Sequence, residues 1–153
     1  MAMILGVLFT TCLLLASVGP ARGQLDDFHS SPDLAVTKAQ LLEFTQTARR
    51  LMREIQALPV DDSISVNPVV HQHARQDYYL IRAALHGIEL ARQHQTYQDP
   101  ILILAHKKVE EAWNLARFPV DNTGVPRAEY IAKSVQYLTR SIQLVNQALA
   151  IVP

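Results

Sequence analysis

Residues 126–152 read PRAEYIAKSVQYLTRSIQLVNQALAIV. Aliphatic side chains fall at Ile131, Val135, Leu138, Ile142, Val145, Leu149 and Val152, in steps that alternate four and three without a break. Such steps bring every one of these side chains onto one stripe of an α-helix. They are the signature of a helix packed along its length against other helices. Pro126 stands at the opening of this helix, where its missing N–H costs nothing.

Three earlier stretches carry the same signature. Asp99-Pro100 places a capping acid before a proline at the first helical position. Behind it, Leu102, Ala105, Val109, Ala112 and Ala116 share one face with Trp113 at its flank, and Phe118-Pro119 marks the stop. This helix is predicted at roughly 17 residues, about 25 Å, against about 40 Å for the others. The loop over 120–125 that follows holds the turn formers Asn122 and Gly124. Asn67-Pro68 repeats the cap-then-proline start. Its helix shows Ala74, Tyr78, Ile81, Leu85 and Ile88 on one face, with a stripe of Leu80, Ala84, Gly87 and Ala91 beside it, and ends near Gln95. Small residues in that stripe let a neighbouring helix come close, which is the plain role for Gly87. The first helix carries Leu34, Thr37, Leu41, Phe44, Ala48, Leu51, Ile55 and Leu58 and is stopped by Pro59. It starts either at Ser31-Pro32 or at a capping box of Thr37 and Gln40.

No window alternates in the manner of a strand, so the fold class is all-α. Four helices with short links and one apolar face each predict an up-down-up-down antiparallel four-helix bundle over 34–153, neighbours crossing near 20°.

The first 23 residues read as a signal peptide. Residues 4–18 are apolar around Leu13, Leu14 and Leu15, a run too short for a relaxed membrane span. Gly19-Pro20 ends it, and Ala21-Arg22-Gly23 sets small residues at the two positions a signal peptidase reads, so cleavage is expected before Gln24. The first three residues carry no Lys or Arg, which leaves an uncleaved N-terminal anchor as the alternative. Residues 24–33, QLDDFHSSPD, have no periodicity and form a leader. The expected destination is therefore outside the cytoplasm, periplasmic or secreted, with no membrane span after cleavage. Cys12, the only cysteine, lies inside the apolar run, behind Thr11 and before further apolar residues, unlike a lipoprotein cysteine. The processed chain would then have no thiol. That excludes a disulfide framework, thiolate metal ligands, cysteine catalysis and c-type haem attachment. Its stability must come from a core, which about 130 residues can supply.

Fourteen basic and fourteen acidic residues balance. No basic stripe favours nucleic acid, and no polybasic block favours a charged membrane surface.

Candidate chemistry rests on histidines. His106 sits at the flank of the buried stripe near Leu102, Val109 and Trp113. It is placed either to hydrogen-bond a neighbouring helix or to ligate a metal or haem iron. With Met52 on the first helix it would form the methionine–histidine pair used by some haem-binding bundles, an analogy of architecture alone; Met52 otherwise fills the core. His71, His73 and Asp77 gather at the start of the second helix, the last two four residues apart and thus on one face, as a candidate divalent-metal group. His86 is expected in solvent beside Glu89, and His94 near the end of its helix. Di-iron chemistry fails, because no Glu-x-x-His occurs. Gly-x-Ser-x-Gly, His-Glu-x-x-His and phosphate-cradling glycine loops are also missing, so neither an enzyme nor a resident cofactor is expected. Lys107 with Glu111, and the Arg49, Arg50 and Arg53 cluster, read as solvated helix faces. Tyr130 and Tyr137 form a stripe beside the seam of the last helix, and together with Tyr78, Tyr79 and Tyr97 they either cap the edges of the core, the plainer role, or contribute to a partner surface. The expected function is a non-enzymatic exported bundle that binds a partner in the cell envelope, with a haem or metal carrier using His106 as the alternative.

Overall fold

The capping signals act as their chemistry requires. In the computed structural model, which describes residues 34–61, 67–94 and 99–153, Asn67 Oδ1 accepts the Val69 N–H at 2.9 Å. Asp99 Oδ1 does the same for Ile101 at the same distance. Each cap is followed by a proline that opens a helix. The helices are α1 Leu34–Gln56, α2 Pro68–His94, α3 Pro100–Ala116, the short α4 Phe118–Asp121, and α5 Arg127–Leu149. The described residues are helical throughout apart from their links, and no strand occurs among them. α3 has the expected 17 residues, against 23, 27 and 23 for the other three long helices. None of these helices is long and apolar enough to cross a membrane. The signal peptide, its cleavage point, the leader and Cys12 lie outside the described residues.

Each long helix has two long neighbours. α1 packs on α2 and α5, and α3 packs on the same two. α4 rests against α2, α3 and α5. It occupies part of what the turn formers predict to be loop. Pro119 starts the turn, the Asn122 N–H and its side-chain amide both donate to the Phe118 carbonyl, and Arg117 clasps Asp121 at 3.1 Å.

The buried face of α1 is the predicted one, Thr37, Leu41, Phe44, Ala48, Leu51 and Ile55, with Thr45 added. Thr37 is not a cap: α1 already begins at Leu34, and the threonine side chain is buried in its interior. Its Oγ1 fills the place where a Cβ on Gly87 would stand. The buried face of α3 is also as predicted.

α2 and α5 depart from the predicted stripes. On α2 the buried line runs Val70, Ala74, Asp77, Ile81, Ala84, Leu85, Ile88, Ala91, so an acid takes the place expected of Tyr78. On α5 the first half turns by one position. Tyr130 and Ser134 are buried where Ile131 and Val135 were expected, and those two are only partly covered. Hydrogen bonds from outside the helix explain the turn. The Tyr130 hydroxyl donates to the Pro119 carbonyl at 2.9 Å, and the Arg127 guanidinium donates to the Pro59 carbonyl at 3.1 Å. Burial pushes the Tyr130 phenol up to about 12. Farther along, Leu138 and Ile142 are buried as predicted, and Ser141 donates to the Ala112 carbonyl at 2.8 Å.

Candidate functional site

Two residues on α2 and two on α3 form a chain of imidazoles and carboxylates. His106 is only 15% exposed, and its Nε2 donates to Glu89 Oε1 at 3.1 Å. Its Nδ1 faces Glu110 Oε2, one helical turn along, at 3.9 Å. The second oxygen of Glu89 lies 3.5 Å from His86 Nδ1. His106 above all holds the Glu89 carboxyl below its ordinary range, against desolvation by burial and with a lesser contribution from His86. His106 therefore does what a flanking imidazole most simply does, tying α3 to α2.

Aromatic rings continue the same face. Tyr78 of α2 stacks on Trp113 of α3, with ring centroids 5.7 Å apart and 29° between planes. Tyr79 meets Tyr78 edge-on at 5.4 Å and is half exposed. An open groove of about 630 Å³ runs past Tyr79, Arg82, His86, Glu89, Glu110 and Trp113. A second, of about 330 Å³, is lined by Glu89, Arg92, Gln93 and His106. Glu89 thus borders both. Apolar body with polar tips is the composition of surfaces that bind partners.

The other candidates are drawn apart. His71 Nε2 donates to the Val120 carbonyl at 3.2 Å, which fastens α2 to α4. His73 Nδ1 lies 2.6 Å from Glu54 Oε2 on α1, and Arg50 approaches the other oxygen of Glu54 at 3.7 Å. Asp77 is buried toward Thr47 of α1. Each member of the predicted metal group is thus turned to a different neighbour. Among the described residues no set of three or more His, Cys, Asp or Glu is disposed to hold a metal ion. Met52 faces α5, its Sδ 3.7 Å from the Thr139 hydroxyl, while His106 faces α2. The structure does not bring the Met52 and His106 side chains together.

His86 is in solvent beside Glu89 as expected, and His94 is exposed. Glu111 reaches Arg140 of α5 at 3.7 Å instead of serving only its own helix. The partners of His106 are what sequence reading missed. The His86–Glu89 contact has a three-residue spacing that a helix wheel shows, but Glu89 and His106 meet across two helices, and no spacing rule reports that.

Comparison with family models, with characterised proteins and with solved structures finds no match to this chain.

Proposed function

We propose that the chain is a non-enzymatic exported binding protein and that its partner seats on the groove between α2 and α3. The observation that carries this reading is the groove itself, where an exposed Tyr79 and the Tyr78–Trp113 stack adjoin His86, Glu89, Glu110 and Arg82. The proposed architecture is the up-down-up-down antiparallel bundle. Its support is the order of contacts: Thr37 meets Gly87 while Glu54 meets His73, Glu89 meets His106 while Tyr78 meets Trp113, and Lys108 meets Gln147 while Glu111 meets Arg140. In each pair of helices, one sequence rises as the other falls. Export is supported by the apolar run at 4–18 and the small residues before Gln24.

The test starts from protein recovered from its native host with whatever binds it stoichiometrically. Mass analysis of that material is expected to give an N-terminus at Gln24. Tyr79→Ala and Glu110→Ala alter exposed positions, and each is expected to weaken the complex at least about tenfold, the usual effect of removing a contact worth 1.4 kcal/mol. Trp113 is the chain's one tryptophan and lines the groove, so its fluorescence reports occupancy directly. Full-strength binding by both variants overturns the groove assignment. An N-terminus still carrying residues 1–23 overturns export as a free protein, and a Soret band or stoichiometric metal in the recovered material would replace this reading with the carrier.

A further inference from the structure

A carboxyl group stands on the buried line of α2, between Ala74 and Ile81. Asp77 is 4% exposed, and its Oδ2 is sealed from solvent with no hydrogen-bond partner. An ionised carboxylate in such a place loses its hydration with little to replace it. What faces it is known. From α1 come the Thr47 hydroxyl, Arg50 and Glu54, and from α2 itself comes His73. The described residues of α3, α4 and α5 add no charged group to that set. Both Arg50 and His73 have another claim on them, since each approaches Glu54. Glu54 carries the same charge as an ionised Asp77 and opposes it.

We propose that Asp77 is a proton-operated catch on the α1–α2 seam: uncharged, it lets the two helices close over it, and ionised, it loosens them. Burial lifts this carboxyl from 3.8 to about 6, outweighing the opposite pull of Thr47, Arg50 and His73. The sign follows from linkage. A group whose folded value is raised keeps its proton in the folded chain over a range where the unfolded chain has lost it. Its stabilising contribution is complete below about pH 3.8 and is lost as pH rises through about 6. Between pH 5 and pH 8 that amounts to about tenfold in the folding equilibrium constant. The catch stands on Asp77 and α1 alone and does not depend on what the groove binds. Tyr78 follows Asp77 directly, so loosening of the seam reaches the Tyr78–Trp113 stack through one residue.

The experiment compares urea unfolding of the wild type and of Asp77→Asn at pH 5 and pH 8, with a carbon NMR titration of the Asp77 carboxyl in the wild type. Between the two pH values the folding equilibrium constant of the wild type is expected to fall about tenfold further than that of the variant. Hydrogen exchange over 41–55 and 74–88 should quicken with pH beyond the intrinsic chemistry in the wild type only. An Asp77 carboxyl that titrates near 4, or the same pH slope in both proteins, overturns the proposal. Should Asp77→Asn fail to fold, the NMR titration of the wild type alone decides.

Discussion

At Gly87 a missing methyl group sets the distance between two helices. A Cβ there would collide with Thr37 Oγ1, although Thr37 Cβ would stand at an ordinary 3.4 Å. The obstacle is thus the threonine hydroxyl alone, on a side chain buried too deeply to swing into solvent. Alanine at a helical glycine ordinarily gains about 1 kcal/mol, while overpacking a close contact costs about 1–3 kcal/mol. Gly87→Ala by itself is therefore expected to destabilise the protein by up to about 2 kcal/mol. In a Thr37→Ala background the same change should be neutral or stabilising, because only the propensity term is left. A thermal-unfolding double-mutant cycle reads the sign reversal directly, and two additive substitutions would show that the hydroxyl is not the obstacle. The close packing of Gly87 was legible in the sequence, as part of a small-residue stripe. Its partner was not, because Thr37 has the look of a capping residue until the true start of α1 is known.

Among the elements, α5 shows where periodicity stops being a guide. Seven aliphatic residues at perfect spacing mark a stripe that the helix obeys at Leu138, Ile142 and Val145 and leaves at both ends, where Tyr130 and Ser134 are buried in place of Ile131 and Val135, and Ala148 in place of Leu149. Spacing counts apolar side chains, whereas the burial of Tyr130 is set by what a neighbouring segment offers, the Pro119 carbonyl. Leu138→Ala is accordingly expected to cost about 2–5 kcal/mol, and Ile131→Ala, on a side chain only partly covered, less than about half as much. Equal losses in urea unfolding would place Ile131 back in the core. The contrast with α1 and α3 is instructive: their buried residues are nearly all aliphatic, alanine or phenylalanine, so the apolar stripe and the buried line coincide. Asp77 on α2 is the same lesson with a charge, since no hydropathy pattern selects an acid for the interior. The candidate site was legible only in its parts, His106 as a flanking imidazole and the tyrosines as available rings. Their assembly into a groove depends on which helices are neighbours.

Among the described residues, the long helices form a ring of four seams, α1 on α2, α2 on α3, α3 on α5, and α5 back on α1. Electrostatics adds little long-range bias to it, for the charges balance and ion pairs such as Arg117–Asp121, Lys133–Glu129 and Arg140–Glu111 lie at the surface, where each contributes about 0–1 kcal/mol. Three seams join helices that follow one another along the chain, with only the short α4 interposed before α5. The fourth joins the first long helix to the last.

That ring has a consequence in time. Successive helices can find each other after closing a short loop, while α1 and α5 meet only when most of the chain has already been gathered, so the fourth seam is the natural last step of folding. Contacts made after the barrier govern how fast the native state comes apart and leave the speed of its formation nearly untouched. Arg127, which ties the start of α5 to the Pro59 carbonyl at the end of α1, belongs to that seam. In stopped-flow experiments Arg127→Gln should steepen the rate of unfolding in proportion to the stability it removes, with refolding changed little; refolding slowed to the same degree would mean that the ring closes first.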